Sequence, residues 1–476
     1  MTGDRTSLHL IGLGCARNDV DAEELAGRLE RAGFELVDQP EAAQVVLVNT
    51  CGFIEAAKQD SIDQLLAAAD LKRTGATQAV IATGCLAERY GQELAQALPE
   101  ADAVVGFDSY QSIAQVVRSV LAGGVHPAHQ PQDRRRLLPV TPLDRPARAQ
   151  ADLGSRPDLG RVGPAWGPPV PRRRLSQSPS APLKIASGCD RRCAFCAIPS
   201  FRGAHLSRPP DEIVAEARWL VGQGVRELYC VSENTTSYGK DLGRRDALED
   251  LLGRLAAVDR VGWVRLSYLQ PAELRPALIE RVAALPQVVD YFDLPFQHAS
   301  KPLLRRMRRF GDGESFLGLI ERIRRISPEA GLRSNVIVGF PGETAAEVEQ
   351  LIDFLGAAEL DAIGVFGYSA EEGTAGADLP GRLDQAEIAA RVEAVADIAE
   401  VVMAERASRR VGQVVEVMVE SWQSGRWQGR SRHQGPESDG ETWLEAGPSD
   451  LALGQLLKGR VEDSQGVDLT VRPLPG

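Results

Sequence analysis

The chain has 476 residues, 43% of them hydrophobic, enough to build two to four globular domains. Lys and Arg number 54 against 66 Asp and Glu, a net charge of −12 that argues against a general polyanion binder. No run of about 18 apolar residues occurs, which excludes a membrane-spanning helix.

The opening residues, MTGDRTSLHLIGLGCARN, lack a charged leader followed by an apolar stretch, so a cytoplasmic protein is expected. Seven cysteines stand at positions 15, 51, 85, 189, 193, 196 and 230. An odd number this sparse reads as reduced thiols, not as a disulfide framework.

Residues 1–125 form the first expected domain. LHLIGLG, AQVVLVNTCG and QAVIATGC alternate with the helical stretches AEELAGRLERAG and SIDQLLAAADLKR, a βαβαβ order with a parallel sheet. Cys15, Cys51 and Cys85 each follow directly on an apolar strand. Carboxyl ends of parallel strands share one sheet edge, so three thiols far apart in sequence can meet there. Taken singly, each reads as an ordinary core thiol.

Residues 126–182 differ in kind. They hold 12 of the 29 prolines and ten arginines against four aspartates, a local net of +6. With little to bury, this segment is expected to be a polyproline-like or disordered linker.

Strand and helix alternate again over 183–407. LKIASG, VRELYCVSEN, WVRLSYL, VVDYFDLPF, LRSNVIVGF and AIGVFGYS are candidate strands. Six βα units suggest a partial βα barrel of the TIM-like kind, with function at the strand carboxyl ends. After the long helical stretch QAEIAARVEAVADIAEVVMAERASRR, residues 408–476 change to short strands and read as a small all-β barrel. The fold class is therefore α/β with an all-β appendage.

The sharpest chemical signal is Cys189-x3-Cys193-x2-Cys196 in SGCDRRCAFCAIPS. Three thiolates in one short loop make a soft-donor site for zinc or an iron–sulfur cluster. Structural zinc normally has a fourth ligand, and His205 is the only near candidate. Three ligands on a four-iron cluster leave one iron open for chemistry. Cys230, inside the apolar run LYCVS, reads as a core residue.

C-x3-C-x2-C at the start of a βα barrel resembles the radical S-adenosylmethionine (SAM) enzymes. Together with the three amino-terminal cysteines and the terminal β-barrel, it is similar to the methylthiotransferases among them. The carrying stretches are LGCARNDVDAEELAGRL, VNTCGFIEAAKQDSID, TGCLAERY, KIASGCDRRCAFCAIPSFRG, SRPPDEIVAEARWLV, DLPFQHASKPLLRRMRR and NVIVGFPGET. CGFIEAAKQ, in place of a polar basic turn, resembles the ribosomal-protein branch more than the transfer-RNA branch.

The resemblance implies two [4Fe–4S] clusters. Cys189, Cys193 and Cys196 would hold one, whose open iron chelates SAM for reductive cleavage to a 5′-deoxyadenosyl radical. Cys15, Cys51 and Cys85 would hold the second, which carries the sulfur to be inserted. Ser207, Arg208 and Glu233 are implied near SAM, with Gly339, Pro341 and Gly342 of the GFPGE turn on its adenosine side. Gln297 and His298 in DLPFQHAS are candidates to face the substrate.

The terminal barrel resembles a TRAM domain. Over 411–476 it holds six basic and ten acidic residues, a net of −4, which suits a basic protein better than RNA.

The implied reaction adds a methylthio group to the β-carbon of an aspartate in a small-subunit ribosomal protein, the twelfth. An electron donor such as flavodoxin or ferredoxin is expected as a partner. The same chemistry on an adenosine beside the transfer-RNA anticodon is the nearest alternative. A non-catalytic zinc and RNA-binding protein is the alternative of another class.

Overall fold

A computed structural model describes residues 5–134, 172–436, 438–445 and 451–475. The chain forms two compact units. The first comprises Met1–Gln177, Ala186–Arg191 and Ala197–Arg208, and the second Ser178–Ile185, Arg192–Cys196 and Pro209–Gly476.

The first unit is built on a five-stranded parallel sheet. In chain order its strands are β1 (Ser7–Gly12), β2 (Glu35–Leu36), β3 (Val45–Thr50), β4 (Ala79–Gly84) and β5 (Ala103–Val104), arranged β2-β1-β3-β4-β5. Helices α1 (Ala16–Arg31), α2 (Glu55–Thr74), α3 (Cys85–Ala97) and α4 (Ile113–Leu121) cover it.

Alternation along the strands divides the core. Leu8, Val45, Leu47 and Ile81 pack with Leu25 and Leu29 of α1 and Val116 and Val117 of α4. Val46, Val48, Val80 and Ala82 pack on the other face with Leu65 of α2 and Leu94 of α3. Both faces of β3 and β4 are thus dry, which is why their sequences are nearly unbroken apolar runs. The expected βαβαβ order is what forms.

The Pro/Arg-rich segment departs from its expectation at both ends, while residues 135–171 lie outside the described residues. Its amino-terminal end lies on α3. Arg134 is buried, its Nε 2.6 Å from Oε1 of Glu88. His129 approaches Gly91 and Gly106 so closely that a Cβ on either glycine would collide with it.

At the other end Arg172 Nη2 lies 2.8 Å from Oε2 of Glu23 in α1, with both side chains buried. Composition suggested nothing to bury here. Buried ion pairs fix Arg134 and Arg172, and residues 180–182 enter the strand Ser180–Lys184, with Ala181 buried.

In the second unit the six expected strands pair as two parallel three-stranded sheets. One runs Trp263–Leu266, Glu227–Val231, Ser180–Lys184, and the other Tyr291–Asp293, Gly331–Val338, Ala362–Gly367. A parallel bridge between Val264 and Val288 continues the first toward the second.

After the helix Gln385–Ser408, five strands close a barrel around Val417, Val419, Leu444, Val461, Leu469 and Val471. The carboxylate of fully buried Glu227 accepts hydrogen bonds from Arg265 of the parallel sheet and Arg430 of the barrel, and so joins the two. No helix among the described residues is long and apolar enough to cross a membrane.

Candidate functional site

The amino-terminal cysteines occupy matching places. Register pairs Gly12 with Asn49, Asn49 with Thr83 and Thr50 with Gly84, so β1, β3 and β4 end on one edge. Cys15 caps α1, Cys51 follows β3, and Cys85 opens α3.

Two glycines permit the loops to touch. A Cβ on Gly14, whose φ is +96°, would fall 3.0 Å from the Cys51 sulfur. One on Gly52 would fall 2.8 Å from the backbone nitrogen of Leu86, beside Cys85. The edge brings the three thiols together.

Polar side chains fix that edge. Asn18 Nδ2 donates to the carbonyls of Leu13 (2.5 Å), Asn49 (3.2 Å) and Thr50 (3.3 Å), tying the Cys15 and Cys51 loops. Ser61 Oγ accepts from the Cys51 N–H at 2.9 Å and donates back to its carbonyl at 3.0 Å.

Burial pushes the Cys51 thiol up and the Cys85 thiol up to about 12; the nearby Arg202 cation opposes both shifts. Arg202 is buried with Nη2 3.1 Å from the Cys85 sulfur. Sequence reasoning missed Asn18, Ser61 and Arg202. SFRG after the cysteine loop was the available signal for Arg202.

Cys189, Cys193 and Cys196 are all partly exposed. In the first unit the Cys189 N–H donates to the Gly203 carbonyl at 3.0 Å, and the Arg191 N–H points at the Cys189 sulfur, 3.4 Å away. In the second, Ala194 donates to the Met307 carbonyl and accepts from Gly376 N–H, a backbone clamp between Cys193 and Cys196. Arg309 Nη1 stands 3.8 Å from the Cys193 sulfur.

Among the described residues no group of three His, Cys, Asp or Glu is disposed around a single metal ion. Thiolates that each bind a different iron of a cluster need not crowd one ion as zinc ligands do.

Of the remaining candidates, Ser207 is buried with Oγ 3.4 Å from His205 Nε2. Arg208 ends the first unit's last stretch. Glu233 follows the strand Glu227–Val231, ahead of a loop tied to Glu273 through Asn234 and Ser237.

Gly339, Pro341 and Gly342 form the turn after Gly331–Val338, and both glycines have positive φ. Glu343 holds that turn, accepting from the Gly339 N–H at 2.8 Å and from Arg391 at 2.8 Å.

His298, expected at a substrate face, is fully buried instead. Its Nδ1 accepts from Ser300 N–H, and Nε2 lies 3.3 Å from Glu343 Oε1. The buried ring thus lies beside the GFPGE turn, to which Glu343 belongs. Gln297 stays half-buried, with its backbone bonded to Asn335 and Ile337.

The comparisons agree with this layout. Residues 7–106 match the uncharacterized protein family UPF0004, 183–355 the radical SAM superfamily and 411–473 the TRAM domain. A Kitasatospora setae radical SAM methyltransferase, TsrM, has a similar fold, with a TM-score of 0.52 at 15% identity over 76% of this chain and 75% of its own.

Three curated relatives carry the name ribosomal protein uS12 methylthiotransferase RimO. That of Cutibacterium acnes is 58% identical, covering 98% of both chains. Those of a Nocardioides species and Saccharopolyspora erythraea are each 57% identical over 98% of this chain, and 97% and 94% of their own.

The fold and the cysteine loop define a radical SAM enzyme, which uses SAM and a [4Fe–4S] cluster. More closely, the chain belongs to the RimO family of methylthiotransferases.

Proposed function

We propose that this chain adds a methylthio group to the β-carbon of an aspartate in ribosomal protein uS12. The observation that carries the reading is the convergence of Cys15, Cys51 and Cys85 at one sheet edge, in a chain that also bears the Cys189-x3-Cys193-x2-Cys196 loop.

Cys189, Cys193 and Cys196 would hold the radical SAM cluster, and Cys15, Cys51 and Cys85 a second [4Fe–4S] cluster. These groups, when bound with SAM, supply reductive SAM cleavage and the sulfur to be inserted.

The chain's own residues position and insulate. Asn18 and Ser61 hold the Cys15 and Cys51 backbones, and the Ala194 clamp holds the loop carrying Cys193 and Cys196. Glu343 fixes the GFPGE turn, so that Gly339, Pro341 and Gly342 offer backbone to an adenosine. Ser207, Arg208 and Glu233 are assigned to the SAM side, and Gln297 to the substrate side.

The acidic C-terminal barrel suits a basic ribosomal protein. Flavodoxin or ferredoxin is assigned as electron donor, and the cytoplasm as the place of action.

The test is mass spectrometry of ribosomal proteins and transfer-RNA nucleosides from a strain lacking the gene. Loss of the methylthio mass from uS12 alone is expected. Its loss from an adenosine, with ribosomal protein masses intact, overturns the proposal.

A further inference from the structure

Arg202 ends the short helix Ile198–Arg202, which follows Cys196 in the chain, and its side chain is buried in the first unit. The guanidinium divides its fork. Nη1 lies 3.0 Å from Oδ2 of fully buried Asp21, while Nη2 lies 3.1 Å from the Cys85 sulfur. Its Cζ lies over the Phe107 ring, 4.9 Å from the centroid. Phe201, one residue earlier, packs in the same core cluster as Phe107 and so anchors the helix.

A structural ion pair alone leaves this division unexplained. Asp21 by itself balances the buried charge, and a carboxylate commonly takes both prongs of an arginine. A neutral thiol is a weak acceptor, whereas a metal-bound thiolate is a charged one. A hydrogen bond donated to a ligating sulfur raises an iron–sulfur potential, because it stabilises the reduced, more negative state.

We propose that Arg202 is a positioning residue that donates to the Cys85 thiolate and raises the potential of a cluster held by Cys15, Cys51 and Cys85. This rests on the second-cluster reading above.

The test uses the full chain carrying Cys189→Ala, Cys193→Ala and Cys196→Ala, so that bound iron reports the amino-terminal site alone. After anaerobic reconstitution with ferrous iron and sulfide, iron is counted. The cluster is then titrated with dithionite and read by electron paramagnetic resonance.

About four irons per chain are expected in this parent and in its Arg202→Gln derivative. The derivative should show a more negative midpoint and altered g-values. Arg202→Lys, which keeps the charge but not the fork, should fall between. Equal midpoints and spectra in all three overturn the role of Arg202 and leave the cluster reading intact. A parent that binds no iron overturns the cluster reading and this inference together.

If Arg202→Gln binds no iron, Asp21→Asn is titrated against the parent in its place. Removing that negative charge beside Arg202 should move the midpoint positive. An unchanged midpoint overturns the proposal.

Discussion

Arg172 and Glu23 form a buried ion pair, 2.8 Å between Nη2 and Oε2, that fixes the far end of the Pro/Arg-rich segment to helix α1. The Arg173 N–H reinforces it by donating to the Glu23 carbonyl at 3.0 Å. α1 is the helix that Cys15 caps, so the pair steadies the first turn of the cysteine edge from the side.

Removing Arg172 leaves Glu23 Oε2 without its donor, while Arg174 Nε at 3.8 Å and the Leu175 N–H at 3.2 Å remain on Oε1. Arg172→Ala should therefore cost about 1.5–3 kcal/mol of first-unit stability. Urea unfolding followed at a probe in residues 5–125 measures it; a loss below about 1 kcal/mol contradicts the buried-pair account. By the same reasoning, any deletion in this segment meant to spare these contacts keeps Arg134 and Arg172.

The cysteine assignments separate by variant. Cys193→Ala should abolish SAM cleavage, whereas Cys51→Ala should spare cleavage and block methylthio insertion. Iron should fall from about eight to about four per chain in each. The checks are iron and sulfide analysis and chromatographic detection of 5′-deoxyadenosine. Survival of both activities in Cys51→Ala contradicts the second site.

Cys230 is the seventh cysteine, buried in the strand Glu227–Val231, and burial pushes its thiol up to about 12. Cys230→Ala should keep the full iron content and both activities, with a stability loss of about 1 kcal/mol from the small cavity. Loss of a cluster from this variant would place Cys230 among the ligands.

Much of this was legible in the chain because each amino-terminal cysteine ends a strongly apolar strand, and parallel strands share an edge. The Cys189–Cys196 spacing was equally local. SFRG marks Arg202, but its partners Cys85 and Asp21 are brought to it only by folding.

The ends of the Pro/Arg-rich segment were misread for a related reason. Average composition says nothing about single arginines that find a buried glutamate, as Arg134 finds Glu88 and Arg172 finds Glu23. His298 was placed by its strand end, but the carboxylate beside its buried ring lies 45 residues further on, at Glu343.

Acid should loosen the joint between the parallel sheet and the terminal barrel. Burial alone would raise the Glu227 carboxyl, but Arg430 and Arg265 outweigh it and hold it at about 2, below its ordinary 4.5. A depressed folded-state value gives stability that is present above 4.5 and lost as pH falls toward 2. Urea midpoints measured across that window should fall in the native chain and fall less steeply in Glu227→Gln. Parallel slopes contradict this origin.

Methylthiolation of uS12 by this chain can be read in the intact mass of purified uS12 after anaerobic incubation with reconstituted enzyme, SAM, sulfide and a low-potential reductant. The account predicts a gain of one methylthio group on a single aspartate, absent with the Cys51→Ala enzyme. An unchanged uS12 mass, alongside methylthiolation of a transfer-RNA adenosine by the same preparation, would contradict it.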